Sequence, residues 1–304
     1  MKTIINLCIP FLLFTICQAQ KSDLYLNLEI GKSYTQEINS RSSITQEVSG
    51  QKVEMEMSNI SSMSFLVKRL SGEGYDLEVK YDKIIMSVSS SGTVMEFNSE
   101  VRKDDDVFSA ILANLIDQPF ELTMTKKGRI LELRNIDALL EKVLAKFAEV
   151  PDMELAQYQS QLKNAFGEAA FRGSIEMFTA VYPSDPVNKG DKWNISTNLE
   201  SGMTTVVTSN YEFRDETSDY TLISGNSKLA TDKSAEIITG GFTMNFDLKG
   251  TMTSDIKLDK KSGWIIEAVI NQEMKGVSIM NPNEYIPEGM INPISFSTKL
   301  TTRN

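Results

Sequence analysis

The sequence predicts an α+β protein, predominantly antiparallel β. A strongly curved sheet or part-barrel is built from two related β-rich halves, with a central helical insertion packed against it. Three observations lead there. Apolar residues alternate with period two in both outer parts of the chain. A middle segment instead carries them at helical spacing. Turn motifs recur in the same order in the two halves.

From Lys32 to Ser99 the period is two. Tyr34, Gln36 and Ile38 share one face, and Ile44, Gln46 and Val48 share another. The pattern resumes as Val53, Met55 and Met57 beyond Ser49-Gly50, where the change of parity predicts a hairpin turn. Met63, Phe65 and Val67 lead to the turn "SGEG", and Tyr75, Leu77, Val79 and Tyr81 follow, as in an antiparallel meander.

In "DDDVFSAILANLIDQP", Val107, Phe108, Ile111, Leu112, Leu115 and Ile116 mark one face of a helix. Asp104 to Asp106 lack the alternating carboxylates and glycine of a calcium loop, so they read as helix caps. The hairpin "FELTMTKKGRILELRN" comes next. A second helix carries Ile136, Leu139, Leu140, Val143, Leu144 and Phe147. A third runs between Pro151 and Gly167, and a fourth from about Glu168 to Tyr182.

Strands return after "YPSDPVNKGDKW". Phe242, Met244, Phe246, Leu248, Gly250, Met252, Ile256 and Leu258 describe a ribbon that would approach about 55 Å if straight. A strand that long should bend, and Gly250 is the place, because a missing side chain permits curling. Three anchors tie the halves together: "GKSY" at Gly31 with "GDKW" at Gly190, "YDL" at Tyr75 with "YTL" at Tyr220, and "KKGRILEL" at Lys126 with "KKSGWIIEA" at Lys260. The expected division is a leader at 1–19, a β-rich half with one short helix at 20–134, a helical block at 135–182 and a second β-rich half at 183–304. Whether the halves share one core is open at this point.

The leader has one charge, Lys2, before an apolar run from Ile4 to Ile16, the plan of a secretory signal too short to span a bilayer. Lipidation at Cys17 would need a small residue before it, where Ile16 stands. Cleavage after Ala19 fits better. The mature chain would be periplasmic or extracellular, with no later transmembrane segment. It would lack cysteine, since Cys8 and Cys17 are the only two. Loss of Lys2 moves the formal charge from −10 to −11, which disfavours nucleic acid.

With no histidine in the chain, Ser-His-Asp and Cys-His systems are excluded, and zinc, copper and haem lose their usual ligands. Phosphate-loop and dinucleotide fingerprints are missing. The sequence therefore predicts no enzyme, no metal and no cofactor. Glu54 with Glu56, and Asp215 with Glu216, are the carboxylate pairs to weigh for a glycosidase. They alternate with apolar residues as solvent-facing positions on strands do.

The leader ending in "AQ", the phrase "YPSDPVNKGDKW" and the "TKKGRILEL" hairpin resemble the secreted Bacteroidetes family catalogued as domain of unknown function 6263. The resemblance implies an exported or envelope protein and carries no catalytic residues. In outline the plan is also similar to LolA-like carriers of lipidated proteins, an analogy of fold alone.

Fourteen methionines follow the initiator, and flexible thioethers suit adaptable apolar surfaces as well as ordinary cores. The candidate ligand-binding residues are Met55, Met57, Phe242, Met244 and Phe246 on the concave face. Tyr285 and Met290 join them from the loop "MNPNEYIPEGMINP". The expected function is a non-enzymatic exported cell-envelope protein that binds an apolar small molecule, a lipid-like group or an envelope protein. The alternative is a structural or interaction protein with a solid core and no small-molecule ligand. Mass spectrometry of the exported protein should give a chain that starts at Gln20. A lipid adduct on Cys17 would contradict that.

Overall fold

A computed structural model of the protein describes residues 21–48, 50–72, 74–101, 106–201, 203–239 and 242–304. The leader, Cys17, Ala19, Asp104 and Asp105 lie outside the described residues. The first half holds strands β1 (Ser33–Val48), β2 (Gln51–Ser71), β3 (Gly74–Ser90) and β4 (Thr93–Asn98), helix α1 (Val107–Leu115), and the hairpin β5 (Phe120–Thr125) and β6 (Ile130–Arg134). Helices α2 (Ile136–Leu144), α3 (Asp152–Phe166) and α4 (Glu168–Thr179) follow. The second half holds β7 (Lys192–Ser201), β8 (Met203–Glu216), β9 (Tyr220–Thr231), β10 (Ile237–Thr239), β11 (Phe242–Asp259), β12 (Ile265–Met280) and β13 (Met290–Arg303).

These strands form one antiparallel sheet in the order β6-β5-β3-β2-β1-β13-β12-β11-β9-β8-β7, with β4 beside β3 and β10 beside β11. The path explains the two halves. The first half runs β1-β2-β3-β5-β6 and the second runs β7-β8-β9-β11-β12, the same meander with one short side strand each. Strand β13 joins them by pairing with both β12 and β1.

The paired anchors prove to be equivalent places. Gly128 in the first "KKG" turn has φ +74, and Gly263 in the second has φ +69. A Cβ on Gly128 would lie 1.9 Å from the Thr179 carbonyl oxygen, on the segment leading into β7. A Cβ on Gly263 would lie 2.1 Å from the Tyr25 carbonyl oxygen, on the segment leading into β1. Each turn thus presses against the entry of the other half's first strand, and only glycine satisfies both the backbone angle and the space.

Along most of the sheet the inner face is apolar and the outer face polar. The unbroken register from Ser33 opposite Leu66 to Val48 opposite Gln51 makes β1 a single strand. Ile44 and Gln46 therefore share the face of Tyr34 and Ile38, not a second face as their sequence grouping suggested. Outward lie Thr35, Glu37, Arg41 and Glu47, all exposed. That alternation is the reverse of an outer-membrane barrel, which turns its apolar band outward. No helix among the described residues is long and apolar enough to cross a membrane.

The helices pack on the inner face at one end. Phe171 of α4 meets Phe120 edge-on with centroids 5.0 Å apart, Phe166 of α3 meets Tyr81 at 5.6 Å, and Phe108 of α1 meets Phe97 at 4.9 Å. Asp106 caps α1, accepting from the Ser109 amide at 2.9 Å, so this acid is a cap. Leu24, Leu26 and Leu28 of the entering segment are buried in the same core. The Leu26 amide donates to the Lys126 carbonyl at 2.8 Å and the Asn27 amide to that of Ser262 at 2.7 Å, so this segment crosses between the two equivalent turns. A single cluster contains Phe65 and Leu77 from one half, Ile256 and Trp264 from the other, and Leu162 and Ile175 from the helices. The two halves close one core.

The free edges β6 and β7 meet over α4. The Ile130 amide donates to Glu176 Oε1 at 2.7 Å, and Arg172 Nη1 donates to the Ile130 carbonyl at 2.5 Å. Arg129 reaches across to β7, donating to Thr197 Oγ1 at 2.9 Å and to the Ser196 carbonyl at 3.0 Å. Trp193 Nε1 donates to the Val181 carbonyl at 2.9 Å just beyond the helix. Side chains thus take the place of the missing strand partner.

The long ribbon is a single 18-residue strand, as the alternation predicts. At Gly250 a Cβ would lie 2.0 Å from the Glu273 carbonyl oxygen, and at Gly276 one would lie 1.9 Å from that of Asp247. Both glycines therefore allow a backbone approach between β11 and β12 that a side chain would block. Gly128→Ala and Gly263→Ala should each cost about 3 kcal/mol in urea unfolding, from backbone strain plus overlap with a carbonyl. Gly31→Ala, at φ +84 with nothing within 4 Å, should cost only about 1 kcal/mol.

Candidate functional site

At the helical end the inner face is filled. At the opposite end, the mouth, apolar side chains line the sheet with no helix among the described residues over them. Cross-strand register sets them in rows. Met290 of β13 stands opposite Met280 of β12, Met280 opposite Met244 of β11, and Met244 opposite Ile237 of β10. These four are half-buried. The next row inward is Asn292, Ser278 and Phe246. Ser278 is 1 % exposed, and its hydroxyl accepts from Gln46 Nε2 at 3.0 Å. Thus the methionine row at the rim overlies a row that is polar on β12 and β13 and apolar at Phe246 on β11.

The loop 281–289 folds back beside the rim. Asn283 organises it, its Oδ1 accepting from the amides of Tyr285 at 2.9 Å and Ile286 at 3.0 Å. The Tyr285 ring is 77 % exposed and lies 6.5 Å from the Phe242 ring, edge to face. Asn281 Nδ2 donates to Glu236 Oε1 at 3.2 Å and ties the loop to the segment before β10.

Five of the seven residues singled out from the sequence therefore come together: Phe242, Met244, Phe246, Tyr285 and Met290. Met290 is the first residue of β13 rather than part of the loop, because its pairing with Met280 draws it into the ladder. Met55 and Met57 share the same face but lie on β2, four strands from β11 and about 19 Å away along the sheet. They belong to a second patch, in which Met57 stands opposite Val88 and Val88 opposite Met95, with Met57 39 % and Met95 54 % exposed. Met252, by contrast, is a core residue at 2 % exposure.

Sequence reading passed over Met280, Ile237 and Met95. In the sequence Met280 opens the Pro- and Asn-punctuated stretch "MNPNEYIPEGMINP". Its place at a strand end, opposite two other methionines, depends on a register that local alternation does not reveal.

The carboxylate pairs do not make a cleft. Glu54 and Glu56 are exposed on the outer face, and hydrogen bonding to Lys52 holds Glu54 below the usual carboxylate range. Asp215 pairs with Lys189 at 2.6 Å, and Glu216 pairs with Lys260. Burial pushes the hydroxyls of Tyr81, Tyr182 and Tyr211 up. All three are core groups: the Tyr182 hydroxyl donates to the Gly263 carbonyl at 2.6 Å, and Tyr211 stacks near Trp193. Among the described residues no cluster of three or more acids is arranged to hold a metal.

Residues 72–265, almost two thirds of the chain, match the model of a family of unknown function, DUF6263. The chain belongs to that family. No curated protein matches it. Among solved structures it is similar to an outer membrane channel from Pseudomonas putida F1, at 8 % identity over 91 % of this chain and 97 % of that one, with a TM-score of 0.25. A putative outer membrane lipoprotein-sorting protein domain from Vibrio parahaemolyticus matches at 12 % identity over 88 % and 83 %, with a TM-score of 0.13. A DUF1329 family protein from Desulfovibrio piger matches at 8 % identity over 90 % and 85 %, with a TM-score of 0.16. TM-scores this low carry no argument about fold or function, so the functional reading rests on the molecule itself.

The assignment of mouth and core separates in unfolding experiments. Met252→Ala should cost about 3 kcal/mol, whereas Met244→Ala at the half-exposed rim should cost less than about 1 kcal/mol.

Proposed function

We propose that this chain is a non-enzymatic, exported protein of the cell envelope that takes an apolar, lipid-like group against the methionine row at the mouth of its sheet. The observation that carries the reading is Met244, Met280 and Met290 side by side on an inner face that no helix among the described residues covers. Thioether side chains rotate freely and are polarizable, so a row of three adapts to chains of varied shape. Phe242 and Phe246 add rigid apolar area, and Tyr285 stands on a loop tied beside the entrance. Behind the rim, Ser278 and Asn292, with Gln46 reaching Ser278 from the next row, make a polar layer without charge, a match for an amphiphile whose polar part is neutral.

The filled helical end favours a second reading, an interaction protein of the envelope that holds no small molecule. The two readings part on one experiment. Binding of the neutral apolar dye N-phenyl-1-naphthylamine is followed by fluorescence on wild type and on Met244→Asn/Met280→Asn. The carrier reading predicts saturable binding weakened at least about tenfold in the variant, with melting temperature nearly unchanged, since these side chains are half-exposed. Absence of binding, or equal binding in both proteins, would remove the carrier reading and leave the interaction protein. Native mass spectrometry of protein from its own host then identifies the bound lipid.

A further inference from the structure

The outer face of the sheet carries a feature that the apolar mouth does not use. On adjacent strands Lys249 stands directly opposite Lys275, and the same row continues through Ser295 and Thr45 to Glu54, which pairs with Lys52. Like charges placed opposite each other on an antiparallel pair are destabilising. A chain with 41 acidic residues does not lack carboxylates to set there. Yet among the described residues neither lysine lies within 4.0 Å of a carboxylate, while the neighbouring Lys52 and Lys233 pair with Glu54 and Asp247. The row lies in a solvent-open groove of about 1000 Å³, where Val277 and Pro293 are also exposed to the space.

We propose that this row binds a compact phosphate group. The two ammoniums and the Ser295 hydroxyl beside Lys275 supply donors to its oxygens, and its negative charge offsets the repulsion between the lysines. The flanking rows set the size of the ligand. Glu273 lies one row to one side, and Glu56 follows across β13 and β1. Glu47 and Asp247 line the groove on the other side. Carboxylates on both flanks repel an extended polyanion or an anionic membrane surface and leave room for a single phosphate. The site stands on other residues and another face than the mouth, so either can fail without the other.

Isothermal titration with inorganic phosphate tests the site, against chloride at matched ionic strength, on wild type, Lys249→Ala/Lys275→Ala and the distant control Lys80→Ala/Lys142→Ala. Soluble dihexanoyl phosphatidic acid is the second ligand. Wild type and control should bind alike, and the groove variant at least about tenfold more weakly. Without phosphate the groove variant should melt no lower than wild type, because removing either lysine relieves repulsion. Binding of both ligands assigns the site to phosphate from any source, and binding of the lipid alone assigns it to a headgroup. If wild type binds neither, or if the groove variant binds as well as wild type, the proposal is overturned.

Discussion

A curved sheet that does not close on itself leaves two edges, and the rest of this structure depends on how those edges meet. The β6 edge offers the amide and carbonyl of Ile130, and β7 offers the Ser196 carbonyl. Glu176, Arg172 and Arg129 take up all three. Without such partners the edges would be open templates for other chains. Viewed around the sheet, α4 occupies between β6 and β7 the place that β13 occupies between β12 and β1. One boundary between the repeated halves is sealed by a strand and the other by a helix. This difference gives the molecule two unlike ends.

At the end where α4 sits, the helices and the entering segment Leu24–Leu28 fill the space between the strands, and the aromatic contacts among Phe120, Phe171, Tyr81 and Phe166 hold it. At the other end no helix among the described residues arrives. Along β11 the alternation continues to the tip, and on β12 and β13 Met280 and Met290 return apolar side chains to the inner face at the rim, beyond the inward-facing Ser278 and Asn292 and without the packing that buries the residues below. A core needs Leu and Ile with fixed rotamers, and those dominate the helical end. The rim carries methionine instead, which adapts to what it meets. That division of residue types along one sheet is the physical basis of the functional reading.

Much of the architecture was legible in the residues. Period-two runs marked most strands, and helical spacing marked α1 to α4, because both signals are local. The order of the anchors pointed to two related halves, and equivalent carbonyl contacts at Gly128 and Gly263 give the physical reason for it. Other features were not legible. Nothing local in Met290–Arg303 says that it will pair with β1, some 250 residues earlier. The role of Glu176 as an edge partner depends on where α4 docks. The face of Ile44 was misjudged because the serines and arginine between Ile38 and Ile44 broke the apolar signal while the backbone continued extended. The site was half legible: parity placed Phe242, Met244 and Phe246 together, but Met280 needed the long-range register of β12 with β13.

The central claim is that one end of the inner face is a solid core and the other receives an apolar guest. The most direct measurement is methyl NMR of protein labelled at methionine Cε, titrated with a medium-chain fatty alcohol. The account predicts that the methyls of Met244, Met280 and Met290 shift together and saturate, while those of Met63, Met124 and Met252 stay in place. Shifts spread evenly over core and rim methyls, or no shift at the rim, would contradict it.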